Sequence, residues 1–63
     1  MRVNGSTRSG ESVSVRGLLD EMGLDGRGVA VARNGEIVPR SSWESEMLQN
    51  GDVIEIVTAA AGG

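Results

Sequence analysis

The chain alternates short apolar runs with turn residues, and one stretch switches to helical spacing. Val29-Ala30-Val31-Ala32-Arg33 and Glu36-Ile37-Val38 flank Asn34-Gly35. Asn-Gly tolerates positive φ at both of its positions, which a two-residue hairpin turn requires, so the segment predicts a hairpin. Pro39 removes a ladder donor and ends or edges the second strand. Asn4-Gly5 and Asn50-Gly51 repeat the same signal. The first predicts a turn from a strand at Arg2 to Val3 or Asn4 into a polar strand around Ser6 to Ser9. The second, with Asp52, turns the chain into a last strand over Val53-Ile54-Glu55-Ile56-Val57. Between these, Val15, Leu18, Leu19 and Met22 fall on one helical face. Ser14 is a suitable N-cap and Gly23 a left-handed stop, with Leu24 folding back on the helix end. Leu18, Leu19 and Met22 are expected in the core. Ser41-Ser42-Trp43-Glu44 has capping-box spacing and predicts one short helical turn from about Ser42 to Met47.

Strand alternation sorts the residues by face. In the last strand Glu55 needs water, so Ile54 and Ile56 point inward and Val57 outward. In the third strand side-chain volume places Val29 and Val31 inside and Ala30 and Ala32 outside. Arg33 then twists away beside the turn, and a one-residue slip would reverse every assignment. The element order is strand, strand, helix, strand, strand, short helix, strand. One amphipathic helix must cover one face of a mixed sheet, because neither layer buries its apolar side alone. The fold class is α+β, and the sheet's other face is left open.

Length and composition narrow the function. Sixty-three residues make one domain at most, near the lower limit for folding alone. No Cys and no His are present. That removes disulfides, Cys/His zinc sites and thiol or imidazole catalysis. No apolar run is long enough to span a bilayer, and Met1-Arg2-Val3 opens no signal-peptide pattern. A cytoplasmic location without membrane contact is expected. The net charge is −3 and all six basic residues are scattered Arg. Nucleic-acid binders show a clustered basic patch, and a single aromatic, Trp43, gives no stacking platform, so nucleic acid is not an expected partner. The absence of Lys fits the codon bias of a GC-rich genome. Trp43 is expected to pack over the short helix. Asp20, Glu21 and Asp25 fit a solvated helix face. Arg40 is expected to be a rim charge of little energetic weight.

The candidate chemistry lies at the end of the sequence, Thr58-Ala59-Ala60-Ala61-Gly62-Gly63. A carboxylate on glycine enters a slot too narrow for any residue with a Cβ. Fully extended, Ala59 to Gly63 would reach about 17 Å. A terminal carboxylate has a reference pKa of about 3.3–3.7, so it is ionised and a poor electrophile. The chain offers no nucleophile–base pair and no phosphate loop, so activation must come from another protein. The expected division is a domain over 1–58 and a flexible tail over 59–63, with Val57, Ala30 and Ala32 as the docking surface just upstream.

Three features together resemble the ThiS family, small sulfur-carrier proteins of thiamin biosynthesis. They are Val29 to Trp43 with Val38-Pro39-Arg40, the Leu-rich helix from Val15 to Leu24, and Gly51-Asp52 followed by the last strand and Gly62-Gly63. The resemblance covers nearly the whole chain. It departs at Arg33, where the family more often has a small apolar residue. It implies a β-grasp, or ubiquitin-like, roll of about five strands with the last strand inserted between the outer pairs. It also implies a non-enzyme: a recycled co-substrate binding no cofactor or metal of its own. An ATP-dependent adenylyltransferase of the ThiF type would convert the Gly63 carboxylate to an acyl-adenylate. A cysteine desulfurase or other persulfide donor would supply sulfur for a thiocarboxylate. Thiazole synthase, the ThiG type, would take that sulfur into the thiazole ring. Gly62, Ala61, Ala60 and Ala59 would thread the partners' active sites. One alternative is the small subunit of molybdopterin synthase, but the place of its aromatic-Pro-Pro run holds Ile56-Val57-Thr58-Ala59. Others are a ubiquitin-like modifier joined through Gly63 and an interaction domain with an inert tail.

Overall fold

The computed structural model describes residues 1–8 and 12–59. Strands β1 (Arg2–Val3) and β2 (Ser6–Thr7) form the first hairpin. The expected reach of β2 to Ser9 ends outside the described residues. Then come β3 (Val13–Ser14), helix α1 (Val15–Glu21), β4 (Val29–Arg33) and β5 (Glu36–Ile37). A 3-10 turn (Arg40–Ser42), β6 (Met47–Leu48) and β7 (Val53–Thr58) complete the order. The main sheet runs β2-β1-β7-β4-β5, with β1 and β7 parallel and the other pairs antiparallel. The last strand therefore sits in the middle, as expected for a β-grasp roll. Asn4 (φ 51) with Gly5 (φ 86) and Asn34 (φ 52) with Gly35 (φ 86) take the paired positive angles of type I′ turns. At Asn50-Gly51 only Gly51 is positive, and the Asp52 N–H closes the turn on the Gln49 carbonyl at 3.1 Å.

The helix is closed at both ends. The Ser14 hydroxyl accepts from the Gly17 N–H at 2.9 Å. The Val15 and Arg16 amides donate to the carbonyls of Glu46 and Trp43, both at 3.0 Å, satisfying two donors that a helix start leaves orphaned. At the other end Gly23 (φ 77) donates to Asp20 and Leu24 to Leu19, the paired bonds of a Schellman stop. Leu24 folds back on the helix end as expected, its N–H reaching the Leu19 carbonyl at 2.9 Å, and it also packs against the core. Met22 does not belong to that core. It is the C-cap residue and 39% exposed, because the chain leaves the helix before its side chain reaches the sheet.

The segment 40–48 differs from its expected form. The 3-10 turn begins at Arg40 behind Pro39, with no side-chain cap, and Met47 lies in β6. Antiparallel pairing of Val13 with Leu48 and Ser14 with Met47 makes a second, two-stranded sheet. That pairing buries Leu48 completely and ties the segment to the helix start. Two-residue strands leave no alternation to read, which is why the sequence hides this sheet. Trp43 is buried as expected, its indole N–H donating to the Val38 carbonyl at 3.0 Å. The core comprises Val3, Val15, Leu18, Leu19, Val31, Val38, Trp43, Leu48, Ile54 and Ile56. Among the described residues no helix is long and apolar enough to cross a membrane.

Candidate functional site

The candidate site is organised by β7, which leads to the tail. Ile54 is fully buried and Ile56 nearly so, whereas Val57 is 64% exposed. Alternation thus divides the strand as the position of Glu55 requires. Opposite it in β4, Val31 is fully buried, Val29 packs against the core, and Ala30 is exposed. The register sets Ala30 beside Val57 and Ala32 beside Glu55. The expected docking residues Val57, Ala30 and Ala32 are therefore neighbours on the open face. Ile37 joins them: it pairs with Ala32 and is 70% exposed, the most exposed of the large apolar side chains. Sequence reasoning passed over Ile37, although a two-residue Asn34-Gly35 turn forces Arg33 opposite Glu36 and Ala32 opposite Ile37.

Two asparagines clip β7 in place. The Asn4 amide oxygen accepts from the Ile56 N–H at 2.7 Å, and its NH2 donates to the Ile56 carbonyl at 3.2 Å. The side chain thus replaces a peptide unit and carries the β1–β7 ladder past the end of β1. Asn34 does similar service at the other end. Its side-chain oxygen accepts from the Val53 N–H at 2.9 Å and its own N–H donates to the Val53 carbonyl at 2.7 Å. Their Asn-Gly pairs announce turns, and nothing local in the sequence announces these long-range bonds.

Arg33 does not twist away. It lies on the core side of β4, at the open end of the core, between two carboxylates. Its guanidinium donates to Asp52 at 3.0 Å and to Glu46 at 2.8 Å. Asp52 also accepts from the Gln49 N–H at 2.8 Å and from the Asn34 side chain at 3.1 Å. Burial pushes the Asp52 carboxyl up, but the Gln49 and Asn34 hydrogen bonds and the Arg33 charge outweigh it, and the net direction is downward. Arg33 is raised, chiefly by its hydrogen bond to Glu46. An open cleft of about 320 Å³ borders this cluster, between Ile37, Pro39 and Glu46. Arg33 and Glu46 in its lining are paired with each other rather than turned to a ligand.

Four other arginines are engaged within the protein. Arg40 is held rather than free: it donates to the Gly26 carbonyl at 2.6 Å and lies 4.9 Å from the centre of the Trp43 ring. Arg16 pairs with Asp20 at 3.4 Å, Arg8 pairs with Glu21, and Arg27 pairs with Asp25 at 4.0 Å, so the three acids form a solvated, ion-paired surface. Among the described residues no three metal-ligating side chains gather. At the end of β7 the Ala59 N–H donates to the Gly28 carbonyl at 2.6 Å. Ala60, Ala61, Gly62 and Gly63 lie outside the described residues. What the described part can do is hold one strand end firmly and present an apolar face beside it.

Comparison with known proteins agrees with this architecture. The sequence profile of the ThiS family matches residues 1–63. A thiazole synthase from Paramagnetospirillum magneticum is 47% identical over 62 residues, which are 97% of this chain and 19% of that protein. The chain therefore spans about a fifth of that relative. A sulfur carrier protein ThiS from Thermus thermophilus is 36% identical over 61 residues, covering 97% of this chain and 95% of that one. The crystal structure of a thiamine biosynthesis protein (ThiS) from Geobacter metallireducens superposes with a TM-score of 0.79 at 29% identity, over 98% of this chain and 96% of that one.

Proposed function

The chain belongs to the ThiS family, and we propose that it is a sulfur carrier of thiamin biosynthesis whose working group is the Gly63 carboxylate. The observation that carries this reading is the family match over residues 1–63, which takes in Gly62-Gly63. The chain acts as a co-substrate. An ATP-dependent adenylyltransferase of the ThiF type joins the carboxylate to AMP, which makes a poor electrophile a good one. The terminal sulfur of a persulfide, from a cysteine desulfurase or other donor, attacks the acyl-adenylate and expels AMP, giving an acyl disulfide. A second thiol, which must belong to a partner because this chain has no Cys, cleaves that bond and leaves the thiocarboxylate and a new disulfide. Thiazole synthase then accepts the sulfur. A thiazole synthase with a stretch 47% identical to this chain supports that acceptor, because one polypeptide there holds both parts.

The chain's contribution is an address and a handle. Val57, Ala30, Ala32 and Ile37 offer apolar side chains around Glu55 on the open face that leads to the tail, and exposed apolar patches commonly mark interfaces. Gly62 and Gly63 add no Cβ to obstruct a narrow active site. The test is incubation with ATP, an adenylyltransferase and a sulfur donor, followed by intact-mass measurement. The expected product has one terminal oxygen exchanged for sulfur. An isopeptide bond to lysine would mean a modifier instead. An oxygen-only mass after full ATP turnover by a verified partner would overturn the carrier reading.

A further inference from the structure

We propose that Gly28 is a positioning residue that fixes the root of the tail, and so the point from which the Gly63 carboxylate reaches its partners. The inference rests on the carrier reading for its functional part and on geometry for the rest. The antiparallel ladder of β4 and β7 runs from Arg33 opposite Ile54 to Val29 opposite Thr58. It continues one step beyond both strands, where the Ala59 N–H donates to the Gly28 carbonyl at 2.6 Å. Gly28 has φ +63, a conformation that side-chain-bearing residues rarely adopt. A Cβ built there would lie 3.3 Å from the Ala59 Cβ and 3.9 Å from the Ala59 nitrogen, with no other described atom within 4 Å apart from those of its own chain neighbours. The one described neighbour that must give way to a side chain at position 28 is therefore the tail's root. Gly35 provides the contrast: at φ +86 its added Cβ meets nothing within 4 Å.

The bond changes what a partner must do. With Ala59 held, the four residues beyond it span at most about 14 Å, measured from a fixed origin. With the bond lost, Ala59 joins the free segment, and its ordering is an added cost each time a partner captures the tail. The carboxylate's own chemistry is untouched. The defect should therefore fall on KM for adenylation and spare kcat.

The experiment compares wild type, Gly28→Ala and Gly35→Ala in the full chain. Amide hydrogen exchange at Ala59 and steady-state adenylation by a ThiF-type enzyme, followed as pyrophosphate release, are the two readouts. Gly28→Ala should speed Ala59 exchange by about tenfold. It should raise KM roughly threefold to tenfold with kcat within about twofold. Gly35→Ala carries similar backbone strain and should leave both readouts at wild-type values, whatever it does to melting temperature. Adding Ala59→Gly to Gly28→Ala removes the Cβ contact and should return the exchange rate of residue 59 toward that of Ala59→Gly alone. Unchanged exchange at Ala59 in Gly28→Ala, or an equal KM rise in Gly35→Ala, would overturn the proposal. Were wild type itself not adenylated by a verified partner, the carrier reading would fail. The exchange comparison would still decide whether Gly28 holds the root.

Discussion

Adjacent residues of β7 should respond to the same substitution in opposite ways. Ile56 is 7% exposed inside the core and Val57 is 64% exposed on the open face. Replacing Ile56 by Asp removes a large core side chain, a loss of about 2–5 kcal/mol. It also strands a carboxyl group without a partner, which adds roughly 1–3 kcal/mol even if the group neutralises. A domain of this length has only about 3–9 kcal/mol of stability in total. Ile56→Asp should therefore be largely unfolded at room temperature. Val57→Asp forfeits strand propensity at a wet position, worth at most about 1 kcal/mol. Its melting temperature should fall by no more than roughly 4–8 °C. If Val57 is a central contact, its loss should weaken partner binding by about 1–3 kcal/mol, or roughly 5- to 150-fold in Kd. Thermal melts by circular dichroism and calorimetric titration against the adenylyltransferase and thiazole synthase read the two effects separately. Unfolding by Val57→Asp with a folded Ile56→Asp would show the strand phase to be wrong. A folded Val57→Asp with wild-type affinity for both enzymes would remove the open face as the docking surface.

Removing Gly63, or adding one residue after it, should abolish activation while the melting temperature barely moves, since a chain end without large apolar groups forms little of the fold; a large drop in melting temperature would refute the handle. Asn4→Gly keeps the turn conformation but removes both bonds to Ile56, and should cost about 1–2 kcal/mol in denaturant melts. Asp52 has its carboxyl pKa lowered from 3.8, so its contribution to stability is complete above that pH and is lost as the pH falls through the lower folded value. Acid titration should accordingly show a steeper loss of stability below about pH 4 in wild type than in Asp52→Asn. Met22→Lys should change stability by less than about 0.5 kcal/mol, against about 2–5 kcal/mol for a deeply buried apolar side chain.

Wherever periodicity ran for four residues or more, the fold was legible. The helix, its Ser14 cap, its Gly23 stop and the inward faces of β4 and β7 all follow from spacing and volume. The order of the strands was not legible that way, because parallel pairing of β1 with β7 joins the two ends of the chain and leaves no local signature. It came from the family resemblance. The β3–β6 pair escaped because two residues per strand carry no period. The roles of Asn4, Asn34 and Arg33 escaped for another reason. Each residue type has a sufficient local explanation, as turn former or exposed charge, and that explanation hid the long-range bond. At the site, Val57 was readable from alternation about Glu55, and Ala30 and Ala32 only once side-chain volume had set the phase of their strand. Ile37 required the hairpin register, and Gly28 required the position of Ala59.

The arrangement explains how one short strand can serve stability and presentation without compromising either. A slip of β7 by one residue would exchange its faces, exposing Ile54 and Ile56 and burying Val57 with Glu55. The same slip would move the tail's root by about 3.3 Å. Register is thus a shared requirement of the core, the open face proposed for docking and the proposed reach of the Gly63 carboxylate. Backbone ladders alone specify it weakly, since their hydrogen bonds repeat along the strand. Side chains do not repeat. Asn4 grips both the amide and the carbonyl of Ile56, Asn34 grips Val53, and Asp52 is held by Arg33, Asn34 and Gln49 at the strand's entry. With the entry and the middle of β7 fixed by distinct groups, Gly28 has only to fix the exit. The polar residues around β7 therefore act as one device: they hold a single register, and from that register the position of the tail's root follows.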